Sequence, residues 1–249
     1  VLIFELPLSL FTCKTLTKLR IAHGNPTSLV WECPCPVNLP CLKTLDIAVR
    51  DNPFVNAFEL IRGCPALESL SLEVTIHKEE DYVFNIPTLK RLKLTLQRVW
   101  TSVTQKVVLN VPNLEYLFVG GMLGSLFVME DLSSLVEASV SFHCIRSDHM
   151  CLEFLKGISG VKSLSIEKFE FTSAPPIFPN MNHLEFKSFW YSGLVLQYLE
   201  SCPELKHLCI EKVLLQLVYN FGNFSVCEGF EPEIEFLKYM LGNAKILKT

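Results

Sequence analysis

One six-residue pattern, L-x-x-L-x-L with apolar residues at the three fixed positions, recurs nine times along the 249-residue chain. Residues 64–72, with the sequence CPALESLSL, form a complete copy. The first apolar residue of the copies falls at positions 16, 42, 67, 89, 114, 135, 161, 181 and 205, at intervals of 20 to 26 residues. Leucine-rich repeats recur every ~20–29 residues. Nine copies at this spacing therefore predict a leucine-rich-repeat solenoid of the α/β class.

The spacing within each copy predicts a strand with one buried side. Leu70 and Leu72 are two residues apart, so they point to the same side of a strand, and Ser71 points to the other side. Parallel strands stacked ~4.8 Å apart would bury the leucines in one core, and each pair of strands needs a crossover segment. We expect a horseshoe over residues 1–212, with a parallel concave sheet and helical or irregular convex segments.

Three crossovers have apolar residues at helical spacing. Helices are predicted at 54–62, closed by Gly63, at 150–156, closed by Gly157, and at 194–200. The two crossovers at 99–111 and 169–179 are extended or interrupted by proline, and predict irregular outer segments. The glycine-rich run 120–125 lacks the lysine of a phosphate-binding loop, which favours a turn after the fifth repeat.

Composition excludes two classes of protein. The apolar fraction is 49% and the mean hydropathy is +0.32, but the richest apolar run, 117–129, is interrupted by glycines and is too short to span a membrane. A net charge of −4 and a pI of about 5.9 argue against a nucleic-acid-binding protein, which usually carries a basic stripe. The apolar excess is that expected of a core repeated along a solenoid.

The ten cysteines predict packing thiols in a reducing compartment. Cys13, Cys64 and Cys202 each lie three residues before the first apolar residue of a copy. A cysteine that recurs in register fits a packing site, where a thiol acts as a small apolar group. The density of cysteines is far below that of disulfide scaffolds, and the chain starts without a signal-peptide pattern. We therefore expect a cytoplasmic or nuclear protein.

Neither a metal site nor a catalytic site has a convincing pattern. The densest group of ligand-type residues is His23, Cys33, Cys35 and Cys41, but zinc sites use pairs of cysteines at a wider spacing, matched by a second pair. The pairs at 143–144 and 148–149, with Cys151, lack the third group that orients a Cys–His nucleophile. The interpretation is a protein without catalytic activity, metal or cofactor.

Four stretches resemble plant F-box/leucine-rich-repeat proteins that end in an FBD segment. They are residues 6–16 (LPLSLFTCKTL), 58–67 (FELIRGCPAL), 86–92 (IPTLKRL) and 227–247 (CEGFEPEIEFLKYMLGNAKIL). In that family an N-terminal F-box docks on a Skp-type adaptor of a cullin–RING ubiquitin ligase, and the repeats present a substrate. The resemblance implies an FBD-like segment at 213–249 that continues the solenoid and is truncated. The F-box is missing before Val1, so we expect part of a longer protein or a shortened relative.

The residues that flank the strand leucines are the predicted binding face for an unknown target protein. They are Lys18, Arg20, Asp46, Ser71, Glu73, Arg91, Lys93, Tyr116, Phe118, His183, Glu185 and His207, accompanied by further polar residues such as Glu137, Glu167, Lys187 and Glu211. Tyr116 and Phe118 are of the type enriched in interface hot spots, although they could instead pack under a loop. The function implied is substrate recognition for a ubiquitin ligase. The alternatives are a repeat scaffold without ligase recruitment and a small-molecule sensor.

Overall fold

The structure, a computed structural model, describes residues 2–3, 7–22, 29–30, 36–49, 54–76, 81–98, 106–123, 125–145, 148–167, 173–187 and 192–211. Its strands are β1 (Leu2–Ile3), β2 (Lys18–Ala22), β3 (Leu29–Val30), β4 (Thr44–Val49), β5 (Ser69–Ile76), β6 (Tyr82–Asn85), β7 (Arg91–Arg98), β8 (Lys106–Asn110), β9 (Tyr116–Leu123), β10 (Leu126–Asp131), β11 (Glu137–Ile145), β12 (Ser163–Glu167), β13 (His183–Lys187) and β14 (His207–Ile210). Its helices are a 3-10 helix (Leu8–Thr12), α1 (Phe54–Arg62), α2 (Asp148–Gly157) and α3 (Ser192–Ser201).

A sheet of nine parallel strands, one from each copy of the motif, forms the concave layer. Its order is β14-β13-β12-β11-β9-β7-β5-β4-β2. The motif leucines stay in register from strand to strand: Leu45 pairs with Leu70, and Leu70 pairs with Leu92. The predicted leucine-rich-repeat solenoid with a parallel concave sheet is confirmed.

The core follows the inward side of this sheet. Leu70, Leu92 and Leu184 are fully buried, and Leu16, at the first repeat, is half-buried against the same core. Large aromatic side chains fill the space between the sheet and the convex segments, among them Phe84, Phe142, Phe154, Phe178, Phe186 and Tyr198. Cys64 and Cys202 are buried as predicted, and burial raises the pKa of Cys202 to about 12, so it remains a thiol.

The convex layer agrees with the prediction in its helices and differs from it in its middle. The three expected helices are α1, α2 and α3. The described part of the second irregular crossover, 173–179, contains neither helix nor strand, as predicted. The prediction of an irregular segment at 99–111 was wrong over 106–110, which form β8, a strand in a second parallel sheet of order β10-β8-β6.

This second sheet continues the convex layer between two helices. At one edge, the ring of Phe58 from α1 stacks on Tyr82 of β6, with centroids 6.3 Å apart and ring planes 3° apart. At the other edge, Phe127 of β10 meets Phe154 of α2 edge-on at 5.1 Å. Alternate residues of β6 and β8 are buried, so these short strands behave like sheet elements with one side in the core.

The predicted turn at 120–125 was also wrong over its first part, since Gly120 and Gly121 lie within β9. Gly121 has φ 95°, in the left-handed region. At this point the pairing of β9 with β11 shifts register, from Gly121–Phe142 to Met122–Cys144. The glycine therefore permits a β-bulge, and pairing on both sides keeps the chain in the sheet.

Polar contacts between neighbouring repeats follow the edge of the solenoid. The hydroxyl of Thr88 donates to the carbonyl of Leu67 at 2.7 Å, and the amide of Asn113 donates to the carbonyl of Pro87 at 2.7 Å. Such bonds satisfy carbonyls that the turns between repeats would otherwise leave without protein partners.

Glu68 lies in an ion-pair ladder at this edge, which makes its titration predictable. Its carboxylate is 3.0 Å from Lys43 Nζ and 3.4 Å from Lys90 Nζ, and hydrogen bonds from both ammonium groups lower the pKa of Glu68. In a Lys43→Gln–Lys90→Gln variant we expect this pKa to rise toward its usual range. Carbon-13 NMR titration of the side-chain carboxyl measures it, and Glu153, whose pKa is lowered by Lys156, is the internal control.

The direction of this pKa shift determines how the ladder makes the stability of the fold depend on pH. The pKa of Glu68 is lower in the folded than in the unfolded chain, so the ladder stabilises the fold above the unfolded value of ~4.3. That contribution is lost as pH falls through the folded pKa. An unchanged Glu68 titration in the double variant would show that the lysines do not pair with it in solution.

Candidate functional site

The alternation of each strand turns its polar residues away from the leucine core. All twelve residues of the predicted binding face lie on this outward side of the nine-stranded sheet, and none of them is buried. The register aligns them in rows across the sheet. One row runs Lys18, Thr44, Ser69, Arg91, Tyr116, Glu137, Ser163, His183 and His207. That these residues bind a target stays a prediction.

The first strands carry charges that are largely satisfied within the protein. Arg20 Nε on β2 is 3.2 Å from Asp46 Oδ2 on β4. Farther along, Gln97 of β7 donates a hydrogen bond of 3.3 Å to the carboxylate of Glu73 on β5. These contacts fix polar side chains in place, and they reduce the charge available to a partner.

At the middle of the arc, two cations lie over two aromatic rings. The guanidinium carbon of Arg91 is 4.4 Å from the ring centroid of Tyr116, and Lys93 Nζ is 5.0 Å from that of Phe118. Both contacts join β7 to β9 and follow directly from the register, which places Arg91 beside Tyr116 and Lys93 beside Phe118. Cation–π contacts of this kind contribute ~0.5–1 kcal/mol at exposed sites. We call Arg91, Lys93, Tyr116 and Phe118 the central patch.

The ring of Phe118 lies along its own strand, over Gly120. A β-carbon added at Gly120 would lie 2.8 Å from two ring carbons of Phe118 and 3.3 Å from the carbonyl oxygen of Ser141. The missing side chain thus makes the space in which the ring rests on the backbone. Beside it, burial raises the pKa of Tyr116, with a further rise from the Glu137 carboxylate, so its phenol stays neutral at physiological pH.

The last strands carry histidines and carboxylates. The rings of His183 and His207, on adjacent strands, are 6.1 Å apart between centroids. Glu185 Oε2 is 2.9 Å from Lys187 Nζ. Partial burial is the largest single effect and favours the protonated form of Glu185. The hydrogen bond from Lys187 and the other hydrogen-bond and charge interactions together outweigh it, so the pKa of Glu185 is lowered. The same hydrogen bond raises the pKa of Lys187, so both groups are charged at neutral pH.

Charge is therefore distributed unequally along the face. The outward positions of β2 to β7 carry four cations and two carboxylates, whereas those of β9 to β14 carry one cation and three carboxylates. The two aromatic rings lie between these halves. The result is a surface with a positive side, an apolar centre and a negative side.

Two residues that contribute to this face were not predicted from the sequence. Gln97 lies on this face because β7 continues beyond the motif, and the alternation Leu94-Thr95-Leu96-Gln97 was the signal that could have found it. Gly120 was predicted to lie in a turn, and no local sequence pattern indicated that it would lie beneath the ring of Phe118. The ring's position depends on both strands that flank β9.

The candidate ligand and nucleophile residues lie elsewhere. His23, Cys33 and Cys35 are outside the described residues, and Cys41 is exposed at a turn. Within the described ranges, no group of three or more His, Cys, Asp or Glu side chains is placed to hold a metal ion. Cys151 is buried in α2, where burial and the nearby Asp148 raise the pKa of its thiol. Such a thiol packs in the core and is a poor nucleophile.

A groove of about 610 Å³ opens on the convex side, between α1 and β6. Phe58, Ile61, Arg62, Val83 and Phe84 are among its lining residues. It shares no residue with the face of the concave sheet, so the two surfaces can be altered separately. Among the helices that the structure describes, none is long and apolar enough to cross a membrane.

Together, a repeated parallel sheet with a buried leucine side and a solvent-exposed polar side defines a leucine-rich-repeat protein. The family model described as "FBD-associated F-box protein At5g56370, LRR repeats" matches residues 2–139. The chain belongs to this leucine-rich-repeat family of FBD-associated F-box proteins.

Relatives from Arabidopsis thaliana cover nearly the whole chain. F-box/FBD/LRR-repeat protein At1g78750 is 28% identical over 98% of this chain and 61% of its own length. F-box/FBD/LRR-repeat protein At5g44980 is 30% identical, over 96% and 63% respectively, and F-box/LRR-repeat protein At4g14103 is 29% identical, over 93% and 66%. The chain thus spans about three fifths of the length of the curated relatives that it matches. None of the solved structures matches this chain.

Proposed function

We propose that this chain is the target-recognition region of an F-box subunit of a Skp–cullin–F-box ubiquitin ligase. Its concave face would hold a target protein, while an F-box elsewhere in the longer polypeptide docks the Skp-type adaptor. The central patch carries the proposal: two aromatic rings and two cations are held on a rigid sheet, and aromatic and arginine side chains are enriched in binding hot spots. Membership of an F-box family supports the ligase context.

In this proposal the chain acts by binding alone, without a catalytic step or a cofactor. The mechanism is positioning, since a target bound to the arc is brought near a ligase that other subunits supply. We place the protein in the cytoplasm or nucleus, where ubiquitin ligases of this kind work. The six cysteines whose state is described, three of them buried, are free thiols, which fits a reducing compartment.

The test uses the full-length polypeptide that contains this chain, tagged and expressed in plant cells. We expect the Skp-type adaptor to co-purify with the wild type. An Arg91→Gln–Lys93→Gln–Tyr116→Ala variant should retain the adaptor but lose ubiquitylation of the bound targets. A Val83→Ser variant in the convex groove, where Val83 is 54% exposed, is the matched control and should behave as the wild type.

Two outcomes would lead to other conclusions. Targets that are captured without the adaptor would favour the alternative, a repeat scaffold that does not recruit a ligase. If target ubiquitylation survives the triple substitution and every other substitution on the concave face, the concave face is not the recognition surface.

A further inference from the structure

The cations of the central patch are available to a partner in a way that Arg20 is not. Arg20 already pairs with Asp46 at 3.2 Å. Arg91 and Lys93 are exposed, and among the described residues the side chains that they contact are the rings of Tyr116 and Phe118. A ring attracts a cation through its face but does not neutralise its charge. A carboxylate from outside can therefore bind these two cations without displacing a partner in the protein.

The rings beside these cations form an apolar shelf. Phe118 rests on Gly120, and Tyr116 lies next to it in the adjoining row. Both side chains are partly exposed, so one face of the shelf is accessible from solvent. A leucine or an aromatic side chain laid on the shelf would remove apolar surface from water, which favours binding by ~25 cal/mol per Å² buried.

Beyond the shelf the face is acidic. Glu137 follows Tyr116 in the same row, and Glu167 lies on the next strand. Among the described residues neither carboxylate has a cation within 4.0 Å. Lys187 lies beside Glu167 in the register, but its ion pair is with Glu185, so both carboxylates can still accept an added cation. From the central cations along the arc, the side chains that a partner can contact are therefore first positive, then apolar, then negative.

The spacing of these groups matches an extended peptide that crosses the strands. Strands are ~4.8 Å apart, so β11 and β12 lie roughly 10 and 14 Å from β7. In an extended chain, side chains on one side recur every ~7 Å, so alternate residues fall at about 0, 7 and 14 Å. Counted from Arg91 and Lys93, the second residue falls between the rings of β9 and Glu137 of β11. The third falls at β12, where Glu167 lies beside Ser141, two rows from Glu137.

We propose that the concave face recognises an extended target segment in which an acidic, an apolar and a basic side chain occupy alternate positions. This rests on the proposed function, in which the concave face binds a target protein. The acidic residue is a carboxylate, Asp or Glu. A doubly charged phosphate would be less well matched, because Glu73, opposite Thr95 and one row beyond Lys93, adds like-charge repulsion.

The test measures fluorescence anisotropy of labelled nine-residue peptides with the full chain. The first peptide carries aspartate, leucine and lysine at alternate central positions, with serine and glycine elsewhere. The others replace the leucine by serine, the lysine by aspartate, or the aspartate by lysine. We expect the aspartate–leucine–lysine peptide to bind most tightly, and its affinity to fall as salt rises, because the pairs are partly exposed.

Substitutions in the protein then test whether Arg91 and Lys93 bind the aspartate of the peptide. An Arg91→Gln–Lys93→Gln variant should bind the aspartate–leucine–lysine peptide about tenfold more weakly, since two partly exposed ion pairs are lost. An Arg91→Glu–Lys93→Glu variant should instead prefer the peptide with lysine at both ends. The matched control is Lys162→Gln–Lys206→Gln, which removes two exposed cations at the turns before β12 and β14 and should leave the affinity within twofold. Circular dichroism confirms that each variant is folded.

The proposal is overturned if the aspartate–leucine–lysine peptide does not bind at millimolar concentration, if all four peptides bind equally, or if the two β7 variants bind as the wild type does. Its failure can be told from that of the proposed function. If a Glu185→Gln–His207→Ala variant of the full-length protein loses target ubiquitylation while the β7 variants keep it, target recognition stands and the inferred peptide chemistry falls.

Discussion

Replacing Phe154 by alanine is expected to lower the free energy of unfolding by about 3–5 kcal/mol. Phe154 is fully buried in α2, and its ring meets Phe127 of β10 at 5.1 Å and Phe142 of β11 at 5.6 Å, both nearly edge-on. One side chain therefore joins a helix, the convex sheet and the concave sheet. Its loss leaves a cavity that three rigid elements cannot close, and it removes two aromatic pairs.

Urea unfolding followed by circular dichroism measures the effect. His149→Ala, an exposed position in the same helix, is the control and should change stability by less than about 0.5 kcal/mol. The free energy of unfolding of Phe154→Leu should lie between those of Phe154→Ala and His149→Ala, because leucine retains part of the apolar volume. Repeats in a solenoid contact only their neighbours, so the alanine variant should also lose amide protection around α2 before it does so at the first repeats. Equal stability of Phe154→Ala and His149→Ala would contradict this packing.

Replacing Gly121 by alanine is the second large change, expected to cost at least about 2 kcal/mol. Gly121 has φ 95°, and an added β-carbon would lie 2.2 Å from the carbonyl oxygen of Leu96 on β7. The backbone conformation and the contact both exclude a side chain. To relieve them, β9 would have to separate from β7, and those are the strands that bring the two halves of the central patch together.

The matched control is Gly160→Ala. Nothing lies within 4 Å of a β-carbon built at Gly160, and its φ is outside the left-handed region. The control should therefore be neutral within about 0.5 kcal/mol. Thermal unfolding of the two variants makes the comparison. If Gly121→Ala is as stable as Gly160→Ala, the left-handed conformation of Gly121 opposite the bulge in β11 is absent in solution.

Much of the concave layer could be predicted because its signal is local. Each strand follows a period of two within six residues, so the burial of Leu70, Leu92 and Leu184 and the outward orientation of Ser71 and similar residues need no knowledge of the neighbours. The helices α1 and α2 could be predicted equally well, because in both a stretch of apolar residues at helical spacing leads to a glycine.

The convex sheet could not be predicted with the same ease. Its strands β6, β8 and β10 have four to six residues, and short apolar runs do not distinguish a strand from an irregular segment. Tyr82 and Phe84 alternate with exposed residues, but that alternation becomes a strand only through pairing with β8 and packing against Phe58. Pairing partners 20 or more residues away lie outside any local pattern.

The same distinction applies to the candidate binding site. The sequence by itself determined which side chains point away from the core, because alternation is a property of a single strand. Only the tertiary structure decided that Arg91 lies over Tyr116 and Lys93 over Phe118, and that Phe118 rests on Gly120. These contacts depend on the register of strands whose motifs are 25 residues apart in the chain, at positions 89 and 114. The register is fixed by the burial of both leucine rows in one core, and that is a property of the assembled sheet.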